Sequence, residues 1–184
     1  MRTDQVESSF DFAGVPDPFQ RLWTPHRMAY VEGGEKPRTH ESADCPFCHA
    51  PKVSDDQGLI VHRGEHAFVL MNLFPYNSGH LLICPYRHTS WYPDLTTAER
   101  DEISALTARA MKVLEKVVHA QGFNLGMNQG EVAGAGIAAH LHQHVVPRYG
   151  GDANFLPIIA QTKAVPQLIE DARTLLADNW DLVE

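Results

Sequence analysis

Apolar positions fall into short runs separated by turn residues, and two longer stretches repeat at helical spacing. Leu59 to His62 and Ala67 to Met71 flank Arg63-Gly64-Glu65-His66, which predicts a hairpin. Asn72 to Gly79 is punctuated by Pro75 and Asn77-Ser78-Gly79 and reads as a loop, after which His80 to Pro85 resumes as a buried strand. Thr96 and Glu99 form a capping box, and Ile103, Leu106, Ala110, Val113, Leu114 and Val117 then recur on one helical face, with Gly122 as the stop. Phe123 to Asn128 predicts a strand, residues 129–139 a Gly/Ala-rich loop, and Leu141 to Val146 another strand. The chain turns at Gly150-Gly151, and a final helix starting near Pro166 buries Leu168, Ile169, Ala172, Leu175 and Leu176. The expected fold is α+β: an antiparallel sheet with one long helix and a C-terminal helix. Residues 1–21 lack a steady period and read as an arm, leaving 22–184 as a single domain whose 33–58 segment is turn-rich.

At 184 residues, with 43% apolar and 21% charged positions, the composition is that of one ordinary globular domain. No apolar run approaches the length of a membrane span, and the N-terminus lacks the basic-then-apolar pattern of a secretory signal, so a cytoplasmic location and no membrane partner are expected. A net charge of -8 argues against a nucleic acid polymer as partner but leaves room for a small phosphorylated ligand. Three cysteines do not make a disulfide framework. Two of them sit in the tight pair Cys45-Pro46-Phe47-Cys48, a spacing suited to metal or redox chemistry, and Cys84 reads as a buried, inert thiol.

The densest chemical signal is His140-Leu141-His142-Gln143-His144. In an extended strand, residues two apart share a face, so three imidazoles are expected along one side of one strand, facing an open pocket. Such a row fits a solvent-facing edge, a metal site, or transfer chemistry on phosphorus. The preceding Gly/Ala loop favours the last, because bare backbone N–H groups, as at Gly134 and Gly136, approach phosphate oxygens closely. Transfer to histidine needs one ring nitrogen with a free lone pair, a fixed acceptor for the proton on the other, and donors for the non-bridging oxygens.

The run H-L-H-Q-H-V-V from His140 to Val146 resembles the His-x-His-x-His-x-x signature of the histidine-triad superfamily of nucleotide hydrolases and transferases. Asn72, Pro75 and Gly79-His80-Leu81-Leu82-Ile83 are similar to its first nucleotide-binding segment, and Asn124 to Gly130 to the strand before its phosphate loop. The resemblance implies a HIT-like fold and an enzyme that passes a nucleotidyl group through a covalent histidine intermediate. It implies that His142 is the nucleophile, that His144 and Asn128 contact phosphate oxygens, and that Asn72 lies near the ribose with Leu73 and Pro75 at the base. For Asn72 and Asn128 the competing reading is an asparagine that satisfies its own turn. Gly136 and Ile137 stand where the hydrolase branch carries a Gln-Ser pair, and Gln143 replaces an apolar residue within the triad; the small residues before the triad leave room that an inorganic phosphate acceptor would fit.

Cys45 and Cys48 have the spacing of a zinc knuckle. His88 and His140 complete the expected set, as in zinc-bearing members of the superfamily, and His49 is the rival ligand. Four protein ligands leave no open position, so the zinc is expected to be structural.

The run from Val146 to Phe155, with Leu22 to Met28, resembles the small actinobacterial diadenosine tetraphosphate phosphorylases of the superfamily. That likeness implies phosphorolysis of diadenosine tetraphosphate to ATP and ADP, with nucleotide contacts from Asn154 and Phe155. Lys163 reads either as a polyphosphate contact or as a solvated lysine, and Arg148 either as a phosphate contact or as a brace for its strand. A hydrolase or phosphoramidase using water, and a non-catalytic nucleotide-binding protein, are the competing functions. The family resemblance also implies a homodimer or higher homo-oligomer.

Overall fold

A computed structural model of the protein describes residues 45–151 and 168–183. The expected arm 1–21, the segment 22–44, and the site candidates Asn154, Phe155 and Lys163 lie outside the described residues. Two single-turn helices, α1 (Pro46–His49) and α2 (Asp55–Gly58), lead into strands β1 (Ile60–Arg63), β2 (Ala67–Met71) and β3 (Leu81–Pro85). The long helix α3 (Thr97–Val118) precedes β4 (Gly122–Gly126) and β5 (Gln143–Arg148), and α4 (Ile169–Asp178) follows. The strands form one antiparallel sheet in the order β1-β2-β3-β5-β4.

β2 and β3 are apolar throughout because both faces of the sheet are covered at its centre. Ala67, Val69, Met71, Leu81 and Ile83 pack on the main core with Ile103, Leu106, Ala110, Val113 and Leu114 of α3. On the other face, Phe68, Leu70, Leu82 and Cys84 meet Cys45, Phe47, Ala50 and Ile60 in a smaller core. That smaller core is the bed of the site.

The α3 capping box forms as expected: Thr96 Oγ1 accepts from the Glu99 amide at 3.2 Å, and Glu99 accepts from the Thr96 amide at 2.7 Å. Arg87 grips the same carboxylate at 2.9 and 2.7 Å and, with the capping bonds, holds its pKa down at about 2. The carboxylate of Glu102, one turn further along α3, accepts the amides of Glu65, His66 and Ala67, so the β1–β2 turn is stapled to the helix.

The structure corrects several boundaries. α3 ends at Val118 rather than at Gly122, because His119 adopts the left-handed conformation (φ 56°) that closes the helix, and Gly122 opens β4. β5 begins at Gln143 rather than Leu141, since the Leu141 amide bonds to the Thr89 carbonyl at 2.6 Å instead of joining the ladder. α4 begins at Ile169, with Leu168 as its N-cap and 69% exposed, and Leu175 also faces outward. Ala172 and Leu176 are buried as expected, joined by Trp180, whose ring stacks on His62 at 4.9 Å.

Candidate functional site

Pro46 suits the first position of α1 because it has no amide proton to satisfy there, and the Cys45 backbone carbonyl accepts from the Cys48 and His49 amides. One turn therefore delivers both sulfurs to the same side. His88 arrives just past β3, and His140 on the approach to β5. The Nδ1 atoms of His88 and His140 are 3.3 Å apart; Cys48 Sγ lies 3.3 Å from the first and 3.4 Å from the second, and Cys45 Sγ lies 3.4 Å from the second. All four ligand atoms fall within 4.8 Å of one another. A tetrahedral zinc with Zn–S of about 2.3 Å and Zn–N of about 2.0–2.1 Å has edges of roughly 3.3–3.8 Å, so this donor set fits the ion. The Nε2 of His140 donates to the Pro85 carbonyl at 2.9 Å, which leaves its Nδ1 lone pair facing the centre. Burial, then the Cys45 sulfur, push the Cys48 thiol up to about 11, so thiolates here would need a central cation. His49 is not part of the cluster.

Two residues on, the Nδ1–H of His142 donates to the His140 carbonyl at 2.8 Å. That bond places the proton on Nδ1 and leaves the Nε2 lone pair free. The expected open pocket is not what His142 occupies: it is 7% exposed and lies against the Phe47 ring at 5.0 Å, where burial lowers its pKa and keeps it neutral.

His144 is set by a longer chain of bonds. The Tyr76 amide donates to His80 Nδ1 at 3.0 Å, so the His80 proton resides on Nε2 and is given to His144 Nδ1 at 2.9 Å. His144 therefore carries its own proton on Nε2. Burial, then the neighbouring histidines, lower the pKa of His80 to about 3 and that of His144 to about 4. The His142 and His144 rings meet edge-on at 5.0 Å, one with a free lone pair and the other with a fixed donor. Across the β4–β5 ladder, His144 faces Gly126, beside which a side chain would meet nothing within 4 Å. The ladder leaves this space open next to the donor.

Asn72 Oδ1 accepts from the Phe74 amide at 3.0 Å, which is the turn-satisfying role, while its Nδ2 faces His80 Nδ1 at 3.3 Å. Leu73 is exposed and Pro75 half-buried in the same loop. Asn128 is half-buried just past β4, on the end that pairs with His144. Gly134 has a φ of +80°, and Gly136 is half-buried before Ile137, which packs against the smaller core. Arg148 shares the face of His144, and its Nη1 donates to Asn124 Oδ1 at 3.0 Å, the bracing role. Gln143 is a correction: it pairs with Ile83 on the α3 side, whereas His144 pairs with Leu82 on the site side, so Gln143 points away from the triad.

Sequence reasoning passed over Tyr76 and Phe47, and named His80 only within a nucleotide-binding segment, with no role of its own. A histidine opening an apolar strand directly after a glycine was the available signal for His80. Tyr76, whose ring stacks on His144 at 5.5 Å, carried none.

The comparisons agree with this geometry. The model of the HIT domain matches residues 54–151. An AP-4-A phosphorylase of Mycobacterium tuberculosis is 47% identical over 170 residues, covering 91% of this chain and 87% of that protein. An uncharacterised HIT-like protein of Methanocaldococcus jannaschii is 31% identical over 110 residues, covering 59% of this chain and 81% of that one. Among solved structures, a Zn-bound histidine triad family protein from Mycobacterium smegmatis superposes with a TM-score of 0.61 at 25% identity, over 77% of this chain and 96% of that chain. With the domain match spanning all five strands and all three histidines, the chain belongs to the HIT family.

Proposed function

We propose that the protein is a nucleotidyl-transferring enzyme that splits diadenosine tetraphosphate with inorganic phosphate, giving ATP and ADP. The observation that carries the chemistry is the division between His142, with a free Nε2 lone pair, and His144, with a fixed Nε2–H. The 47% identity to an AP-4-A phosphorylase over most of both chains supports the substrate and the acceptor.

In the first step the His142 Nε2 lone pair attacks the α-phosphorus. An N–P bond forms, the bond to the bridging oxygen breaks, and ATP leaves with that electron pair. His144 Nε2–H and the Asn128 amide steady the non-bridging and leaving oxygens, and the His140 carbonyl stabilises the positive charge that gathers on His142. In the second step a phosphate oxygen attacks the same phosphorus, the N–P bond breaks, and ADP departs with the imidazole restored.

Water competes for the intermediate, so phosphate must be held by oriented donors. The amides of the 129–139 loop, with Gly134 and Gly136, supply them, and Ile137 contributes to the smaller core instead. The ribose lies near Asn72 and the base against Leu73 and Pro75. A zinc ion held by Cys45, Cys48, His88 and His140 supplies a structural cross-link between α1 and the approach to β5. No helix among the described residues is long and apolar enough to cross a membrane. Among the described residues β4 is an edge strand with Leu125 exposed, which supports pairing of two copies, and the free thiols suit a cytoplasmic setting.

The test is a product assay on diadenosine tetraphosphate with and without labelled phosphate. ATP plus labelled ADP, only when phosphate is present, is the expected result. AMP plus ATP regardless of phosphate assigns water as acceptor, and no turnover refutes the enzyme reading.

A further inference from the structure

The loop 86–92 carries a large side chain that the two steps above do not use. Trp91 is 52% exposed although its backbone is pinned on both sides. Gln129 accepts from the Tyr92 amide at 2.8 Å and donates to the Ser90 carbonyl at 3.2 Å, and the Thr89 carbonyl receives the Leu141 amide. A side chain at Gly130, where φ is +83°, would meet Trp91 Cη2 at 4.0 Å, so the indole lies beside the bare start of the phosphate-loop segment. An indole on a pinned backbone, half in water, at the edge of a site is a surface on which a flat partner can stack.

The sheet says which partner. The loop 72–79, which carries Asn72, Leu73 and Tyr76, enters β3 at Leu81, and the loop 86–92 leaves β3 at Pro85. These ends lie about 13 Å apart at the usual strand rise. Along β5 the order between them is His144, paired with Leu82, then Gln143, paired with Ile83, then His142 and the Leu141–Thr89 contact. A substrate with its first base at the 72–79 end and its α-phosphorus at His142 sends the rest of its phosphate chain past Asn128 toward Gly130 and Trp91.

We propose that Trp91 stacks on the base of the second, departing nucleoside and so makes the enzyme prefer dinucleoside polyphosphates over mononucleotides with the same phosphate chain. The proposal rests on the function proposed above, but its test reads affinity rather than turnover. Binding of methylene-bridged, uncleavable diadenosine tetraphosphate and of methylene-bridged adenosine tetraphosphate is measured by calorimetry for the intact protein, Trp91→Ala and Trp91→Phe.

Trp91→Ala is expected to weaken the dinucleoside ligand roughly ten- to hundredfold, as loss of one base–aromatic stack does, and to leave the mononucleotide within about twofold. Trp91→Phe, which keeps a flat ring, retains most of the preference. Equal weakening of both ligands, or of neither, overturns the proposal. So does a change of oligomeric state in Trp91→Ala with the affinity ratio intact, which assigns the indole to a contact between copies. If the affinity pattern holds while phosphate proves not to be the acceptor, the stacking assignment stands and the acceptor assignment falls.

Discussion

His80 donates to His144 across 2.9 Å, and this bond decides what His144 offers to a substrate. His80 is buried and His144 half-buried, and both are neutral, with pKa values near 3 and 4 against an ordinary 6.5. The unfolded chain therefore takes up protons that the folded protein refuses. Stability is full above about pH 6.5 and declines as pH falls toward 4, because the unfolded state binds more protons in that window. Urea denaturation at a series of pH values should show this decline, and His80→Gln should make it shallower. An equal slope in the variant would remove His80 from the account.

Replacing His142 by Ala should abolish turnover by at least about a thousandfold while the protein still folds and binds nucleotide. Because His142 is buried against Phe47, the variant should also lose about 1–2 kcal/mol of stability, as a small cavity forms. Turnover near that of the unmodified protein, with an inactive His144→Ala, would reverse the two roles.

Elemental analysis should find about one zinc per chain. Cys45→Ser should release it and lower the melting temperature by about 10 °C, taking a loss of several kcal/mol for a broken structural site and about 2–4 °C per kcal/mol at this size. Protein purified without chelator and free of stoichiometric metal would refute the site.

Glu102→Ala should cost about 2–3 kcal/mol, since three amides of the β1–β2 turn lose a charged acceptor together. Chemical denaturation measures it directly. Loss of less than about 0.5 kcal/mol would mean that water replaces the carboxylate without penalty.

Much of this was readable because the signals are local. Thr96 and Glu99 announce the start of α3 through contacts three residues apart, and the apolar runs of β2 and β3 follow from a sheet covered on both faces. The metal cluster was legible from spacing together with family resemblance. Features governed by distant partners were not. His119 ends α3 in a conformation that sequence preference reserves for glycine, and Leu168 faces outward because α4 starts later than Pro166 suggests. Gln143 looked like a site residue by its polarity, yet alternation along β5 turns it to the α3 side. His80 was hidden because its role depends on a ring 64 positions away.

The cluster that joins Cys45 to His140 links positions 95 residues apart. A cross-link over so long a loop acts mainly on the disordered chain, and its effect grows only slowly with further length. Contacts of such separation are costly to close and tend to form after local hairpins and helices. Metal binding should therefore slow unfolding much more than it speeds folding, placing its main effect on how long the native protein lasts once made.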